Sequence, residues 1–239
     1  MTSRQLLSVG QDRFRVGPWH ADSRVAYLAV CQPPSEPSTE SLHGCLRRIA
    51  EAGYSSVITS ALHPEEARSF LAAGFEEYDR LRVLAHDLRH LDPPRPRLAP
   101  NTRLRRARSR DRGPVLVVDG RAFSDFWRLD HTAMSEAEGA TPVTRFRVAV
   151  CEGRVTGYAI TGRGRGQGFL QRLATDPDAA GRGVGSALVV DALRWASRRR
   201  CQRLLVNTQT ENIRALDLYE RVGFTPTATD LVVLSRPVP

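Results

Sequence analysis

Apolar residues recur every three or four positions from Ser186 to Arg200, with Leu188, Val189, Ala192, Leu193 and Ala196 on one face, which predicts an amphipathic helix. Upstream the period falls toward two. Gly168 to Thr175 reads as a strand stopped by Asp176-Pro177. Phe146 to Cys151 and Val155 to Thr161 read as a hairpin turning at Glu152-Gly153-Arg154. Thr102 to Ala107 predicts a further strand, and Ser109-Arg110-Asp111 a helix start. Helical spacing runs through Arg112 to Phe123 and again through Asp125 to Met134. Downstream, Arg203 to Asn207 is a short buried strand, Asn212 to Val222 a helix closed by Gly223, and two short strands follow. Strands interleaved with helices predict an α/β (α+β) fold, a mixed central sheet with helices on both faces.

The first half repeats this order. Ala72-Ala73-Gly74-Phe75 matches Arg221-Val222-Gly223-Phe224 at an offset of 149 residues. The helices His63 to Ala72 and Asn212 to Arg221 precede these matches. Before them come the strands Ser55 to Thr59 and Leu204 to Thr208, and the helices Leu42 to Ala52 and Ala187 to Arg198. Such self-similarity predicts two copies of one unit. Between them, Leu91 to Pro100 holds four prolines, which oppose both helix and ladder pairing. The expected plan is a smaller domain over residues 1–90, a Pro-rich linker over 91–101 and a larger domain over 102–239.

Composition changes the picture modestly. An apolar share of 41% is ordinary for a globular chain. The net charge is +9, and all 35 basic residues are arginine, which reads partly as the codon bias of a GC-rich genome. The remaining charge suits an anionic ligand, either nucleic acid or a phosphate-rich cofactor. Cys31, Cys45, Cys151 and Cys201 lie far apart with no CxxC pair, so no metal site is expected. No apolar run reaches the ~18 residues of a membrane span. The first residues, MTSRQLLSVGQDRF, lack the apolar core of a signal peptide. A cytoplasmic protein with reduced thiols and no membrane association is expected.

The candidate chemistry lies in AAGRGVGSAL, Ala179 to Leu188. Alternating glycines let several backbone N–H groups face one point, and the helix that follows adds its positive end, an arrangement suited to a pyrophosphate. No Lys-Ser/Thr follows, which excludes a P-loop. The loop follows roughly the fourth strand of its domain, whereas a dinucleotide fold places it after the first.

The run Leu170-Gln171-Arg172-Leu173-Ala174-Thr175-Asp176-Pro177, continued by Gly181-Arg182-Gly183-Val184-Gly185-Ser186-Ala187-Leu188, resembles the central motif of the GNAT superfamily of acyl-CoA-dependent N-acyltransferases. So does Asn212-Ile213-Arg214-Ala215-Leu216-Asp217-Leu218-Tyr219-Glu220-Arg221-Val222-Gly223-Phe224, in the family's order and spacing. The resemblance covers roughly Thr102 to Pro239. It implies a GNAT-like sheet, in tandem with a smaller pseudo-GNAT N-terminal domain. The cosubstrate would be acetyl-CoA, with its pyrophosphate on the backbone of Gly181, Arg182, Gly183, Val184, Gly185 and Ser186 and with charge added by Arg182. The pantetheine arm would pair with the strand end at Leu173, Ala174 and Thr175. Asn212 would hydrogen-bond near that arm, and Tyr219 would protonate the leaving thiolate.

The sequence departs from the family pattern at two places. Ala180 stands where members often carry Gln or Arg, and Gln171-Arg172 stands where many carry a carboxylate base. No base is assigned, and a water relay or an acid from Asp125 to Glu138 stays open. Phe126, Trp127 and Asp130 occupy the acceptor region. Aromatics and acids there suit a cationic amine, and equally a helix that buries its rings and exposes its acids.

In the first half, Pro34 and Glu36 fall opposite Gly183 and Gly185, Phe70 opposite Tyr219, and His63 opposite Asn212. Each exchange removes a function, so Arg24 to Leu88 is expected to be a truncated, non-catalytic copy. His63-Pro64 reads as a helix start, His131 as surface or structural, Cys201 as a helix-end thiol and Arg103 to Arg112 as a solvated face. The expected activity is transfer of an acetyl group from acetyl-CoA to a primary amine by direct attack. The alternatives are a non-catalytic CoA-binding sensor or scaffold, and a basic nucleic-acid-associated protein, which has fewer supporting features. A monomer is favoured.

Overall fold

The computed structural model describes residues 4–20, 22–31, 36–89 and 91–238. In chain order its elements begin with β1 (Gln5–Val9), β2 (Asp12–Pro18), β3 (Val25–Val30), α1 (Thr39–Glu51), β4 (Ser56–Thr59), α2 (Pro64–Ala72) and β5 (Glu76–Asp87). Next come β6 (Thr102–Arg106), α3 (Arg112–Ala122), α4 (His131–Gly139), β7 (Val143–Cys151), β8 (Arg154–Gly164) and β9 (Gln167–Thr175). The chain ends with α5 (Val184–Arg198), β10 (Arg203–Gln209), α6 (Ile213–Arg221), β11 (Thr225–Pro226) and β12 (Leu231–Pro237). The chain divides into two units, Met1–Arg82 with Ala228–Pro239, and Val83–Thr227.

In the first unit β1, β2 and β3 form an antiparallel meander, and β4 adds parallel to β3. β12 pairs antiparallel with β4 and with the first half of β5. Helix α1 starts where the Ser38 hydroxyl accepts from the Ser41 N–H at 3.1 Å, satisfying one of the open donors of a helix start. Its Leu42, Cys45, Leu46 and Ile49, spaced three and four apart, are buried. Helix α2 opens with Pro64, and the Glu66 carboxylate accepts from the His63 N–H at 2.7 Å. Phe70 then packs edge-on against Phe75 at 5.2 Å. Val232 and Leu234 of β12 complete this core.

In the second unit the sheet runs from the end of β5 through β10, β9, β8 and β7 to β6, with β11 pairing β5. Alternation along the strands sets its two faces. Val148, Val150, Tyr158 and Ile160 pack with Val115, Val118 and Met134 of α3 and α4. The alternate residues Ala149 and Ala159 pack with α5. Gly157 lets α5 close in, because a Cβ there would press on Val184 and Leu188. Glu152 and Gly153, both at positive φ, turn the β7–β8 hairpin.

Three expectations change. Asp125 to Met134 does not form one helix: residues 125–127 are a turn, and α4 begins at His131. Asp130 stops the earlier helix because its carboxylate accepts from the Ala133 N–H at 2.7 Å and caps α4. The unit boundary falls at Arg82, inside β5, and not at the prolines, because the two parts of β5 pair with different strands. Glu76 to Leu81 pair with β12, while Leu84 and Ala85 pair with β11. The Pro-rich segment is irregular, yet it is no free spacer. Leu91 and Leu98 pack on the α5 core, and the Ala99 N–H donates to the Arg182 carbonyl at 3.2 Å. Of the repeat positions, Pro34 lies outside the described residues.

Candidate active site

β9 pairs with β8 along its length but with β10 only at Gly168 and Phe169. From Leu170 onward the two parallel strands part, so the β10-facing backbone of Leu173 and Thr175 has no ladder partner among the described residues, while that of Ala174 faces β8. A bulge sits opposite Ile160–Thr161, where Thr161 pairs Leu170, Ile160 pairs Arg172 and Gln171 is left over. The bulge turns Gln171 and Arg172 toward the same face, the one that carries α3 and α4.

Thr175 leads into the glycine loop, which brings the strand end beside α5. Gly183 precedes α5 with φ +74° and gives no side-chain cap. The first internal bond of the helix runs from the Ala187 N–H to the Gly183 carbonyl. The N–H groups of Val184, Gly185 and Ser186 have no acceptor among the described residues, and they sit at the positive end of the helix dipole. Gly185 lies against Thr175 and Leu218, so loop, strand end and α6 meet there. Gly183 has a packing role beside the one its motif implies. A Cβ at that position would collide with the Arg97 carbonyl, so packing of the Pro-rich segment also requires glycine. Arg182 is exposed beside the loop.

Helix α6 is capped by Asn212, whose side-chain oxygen accepts from the Ala215 N–H at 3.2 Å. Its Tyr219 is buried against Phe224, with ring centroids 5.6 Å apart. Burial pushes the Tyr219 phenol well above its ordinary range, and the Arg172 charge opposes the shift only in part. The phenol is therefore a donor at neutral pH. Arg172 belongs to a network that the sequence reading missed. Asp119 of α3 is fully buried and accepts from Arg172 Nε and Nη2, both at 2.9 Å, from the Leu129 N–H at 2.6 Å and from the Tyr158 hydroxyl. Arg172 also donates to the Trp127 carbonyl at 2.7 Å and lies 3.5 Å from the Phe123 ring centroid. The available signal was the position of Asp119, one turn after Val115 on the inward face of α3.

The network holds the half-buried Phe126 and Trp127 beside β9, their rings edge-on at 5.1 Å. The acids of the region are engaged: Asp125 with Arg128, Asp130 as a cap, and Glu138 with Arg112. Gln171 Oε1 is buried with no hydrogen-bond partner among the described residues. Cys201 is buried and its thiol is pushed up by that burial, with Arg163 opposing, so the neighbouring arginines do not activate it.

Residues 108–224 match the model of the acetyltransferase (GNAT) family. The second unit is a GNAT acetyltransferase-family domain. The mycothiol acetyltransferase of Saccharomonospora viridis is 29% identical to the chain over 187 residues, 71% of this chain and 60% of that protein. The chain spans about three fifths of the length of the first curated relatives it matches. A GCN5-related N-acetyltransferase from Sphaerobacter thermophilus superposes with a TM-score of 0.68 at 16% identity, covering 95% of this chain and 76% of the other. A tandem GNAT protein from the clavulanic acid biosynthesis pathway superposes at 0.70 with 13% identity, covering 98% and 82%. These two likenesses are of fold. Among the described residues no helix of the GNAT domain or of the first unit is long and apolar enough to cross a membrane.

Proposed function

We propose that this chain transfers an acetyl group from acetyl-CoA to a primary amine. The observation that carries the reading is the parting of β9 from β10 directly beside a helix start with unpaired N–H groups. The pantetheine amides would complete the ladder at Leu173 and Thr175. The pyrophosphate would take the N–H groups of Val184, Gly185 and Ser186, with Arg182 adding charge. A strand N–H facing the thioester carbonyl stabilises the oxyanion as the amine attacks. Tyr219, held protonated by its burial, donates to the departing sulfur.

The acceptor amine would enter on the α3–α4 face, beside Phe126 and Trp127. Gln171 Oε1, a buried acceptor without a partner among the described residues, would take an amine N–H and orient the nitrogen. An amide accepts a hydrogen bond but not a proton, so the amine arrives neutral or loses its proton to water. The name of the relatives makes the des-acetyl form of mycothiol the first acceptor to screen. A reduced-thiol, cytoplasmic setting suits the four unpaired cysteines.

Calorimetric titration of acetyl-CoA tests the loop. Micromolar binding is expected, weakened about tenfold or more by Arg182→Glu, since each lost charge-assisted contact is worth roughly 1.5–3 kcal/mol. Thiol release with an amine panel then tests turnover. Tyr219→Phe should lower kcat roughly 10²-fold, the scale of one general acid, and leave acetyl-CoA affinity within about threefold. The pH profile follows from the same groups. kcat/KM should rise with pH through the pKa of the acceptor amine. It should show no falling limb below about pH 10, because Tyr219 stays protonated beyond the ordinary phenol range. Binding without turnover for any amine would leave the sensor reading in its place.

A further inference from the structure

The arginine-rich run Arg103 to Arg112 reads from sequence as a solvated face, but part of it folds into a concavity of the second unit. A cleft of about 590 Å³ is lined by Arg106, Arg108, Arg112, Arg145, Arg147 and Arg199. The acid in its lining, Glu138, is already bonded to Arg112 at 2.7 Å. Asp191 of α5 is shared between Arg145 at 3.0 Å and Arg147 at 3.2 Å. Arg106, Arg108 and Arg199 have no carboxylate partner among the described residues. Two carboxylates thus face six guanidinium groups, which leaves four positive charges unbalanced within one cleft.

Like charges gathered in one cleft repel one another. Arg145 registers this: burial lowers its pKa first, Asp191 opposes, and Arg147, Arg198 and Arg199 add repulsion. A bound polyanion would relieve that repulsion, and guanidinium forks match phosphate oxygens two at a time. Phe146 and Trp195 add apolar surface to the lining, which suits an organic group attached to the phosphates. Concavity and size favour a small molecule over a duplex, which would need an extended basic surface.

The cleft is separate from the glycine loop. Trp195 lies eleven residues along α5 from Val184, roughly 16 Å down the helix axis. We propose that the arginine cleft is a second ligand site of this domain, binding a small phosphate ester that carries two or more negative charges.

The test is calorimetric titration of inorganic pyrophosphate into the full chain at about 0.15 M salt, where exposed charges are largely screened. Three variants accompany the wild type: Arg106→Ala with Arg108→Ala, Arg106→Lys with Arg108→Lys, and Arg182→Glu at the glycine loop. Arg106 and Arg108 are exposed, so circular dichroism should show both double variants folded. The site predicts wild-type binding, a loss of about tenfold or more in the alanine pair, a smaller loss in the lysine pair and less than about threefold change in Arg182→Glu. Absence of millimolar or tighter binding overturns the proposal. So does a loss confined to Arg182→Glu, which would place pyrophosphate on the loop. A duplex that binds through Arg106 and Arg108 and is not displaced by pyrophosphate would make this a nucleic-acid surface instead.

Discussion

Asp119 shows how a single residue sets the local chemistry. Its buried carboxylate neutralises Arg172 and fixes Tyr158, Leu129 and, through Arg172, Trp127. Removing one member of a buried ion pair strands the other charge, at a cost of about 3–5 kcal/mol. Asp119→Ala should lose that much stability in urea denaturation, while an exposed pair such as Arg128–Asp125 should contribute under about 1 kcal/mol. Asp111 makes a second, pH-readable case. Arg105 bonds its carboxylate at 2.6 and 2.8 Å and the Arg108 N–H at 2.7 Å, and these hold its pKa near about 2 despite the opposing effect of burial. The folded value is below the unfolded one, so the stabilisation is present above about pH 4 and is lost as pH falls toward 2. It amounts to about 2 kcal/mol, and Asp111→Asn should remove that dependence from stability measured across this range.

At the scale of elements, the two glycine-rich loop positions separate by what surrounds them. Gly181 has φ +72° and open space, so Gly181→Ala should cost only left-handed strain, about 1 kcal/mol. Gly183 has φ +74° and the Arg97 carbonyl against it, so Gly183→Ala should cost more and release the Pro-rich segment. Faster hydrogen exchange at the Ala99 N–H in the Gly183 variant alone would report that release. The corresponding elements of the first unit are closed where those of the second are open. β3 pairs β4 as far as Leu28–Thr59, and the Ser60 N–H bonds the Leu28 carbonyl, so only Ala29 and Val30 extend past the ladder. In β9 the strand continues six residues past its last β10 partner. The start of α1 is capped by Ser38, whereas α5 has no side-chain cap. Phe70 takes the place of Tyr219 and has no proton to give. These differences support the reading of the first unit as a copy without a CoA slot.

At the scale of the whole molecule, Ala228–Pro239 belongs with Met1–Arg82 although 145 residues separate them in sequence. β12 supplies Val232 and Leu234 to the first core, exchanges backbone bonds with Leu62 and donates from the Leu234 N–H to Thr59 Oγ1 at 2.9 Å. A chain ending at Thr227 should therefore lose hydrogen-exchange protection across β4 and Leu62 while α5 keeps its own. Equal loss in both would show that the units do not fold separately.

The sequence determined the elements and the motif. Periodicity placed α1, α2, α5, α6 and the β7–β8 hairpin within a few residues, because each buries one face and stops at glycine, proline or a capping side chain. The repeat was legible for the same reason, since both Gly-Phe pairs end a helix and begin a strand. The glycine loop and Tyr219 were legible because their spacing along the chain is itself the motif. Only the tertiary structure decided what depends on partners distant in sequence. Asp119 and Arg172 are 53 residues apart, and no local pattern announces that one neutralises the other. The place of β12 in the first unit, the bond from Ala99 to Arg182 and the gathering of six arginines into one cleft are of the same kind. Each is fixed by which surfaces close on one another in space, a property that no period along the chain encodes.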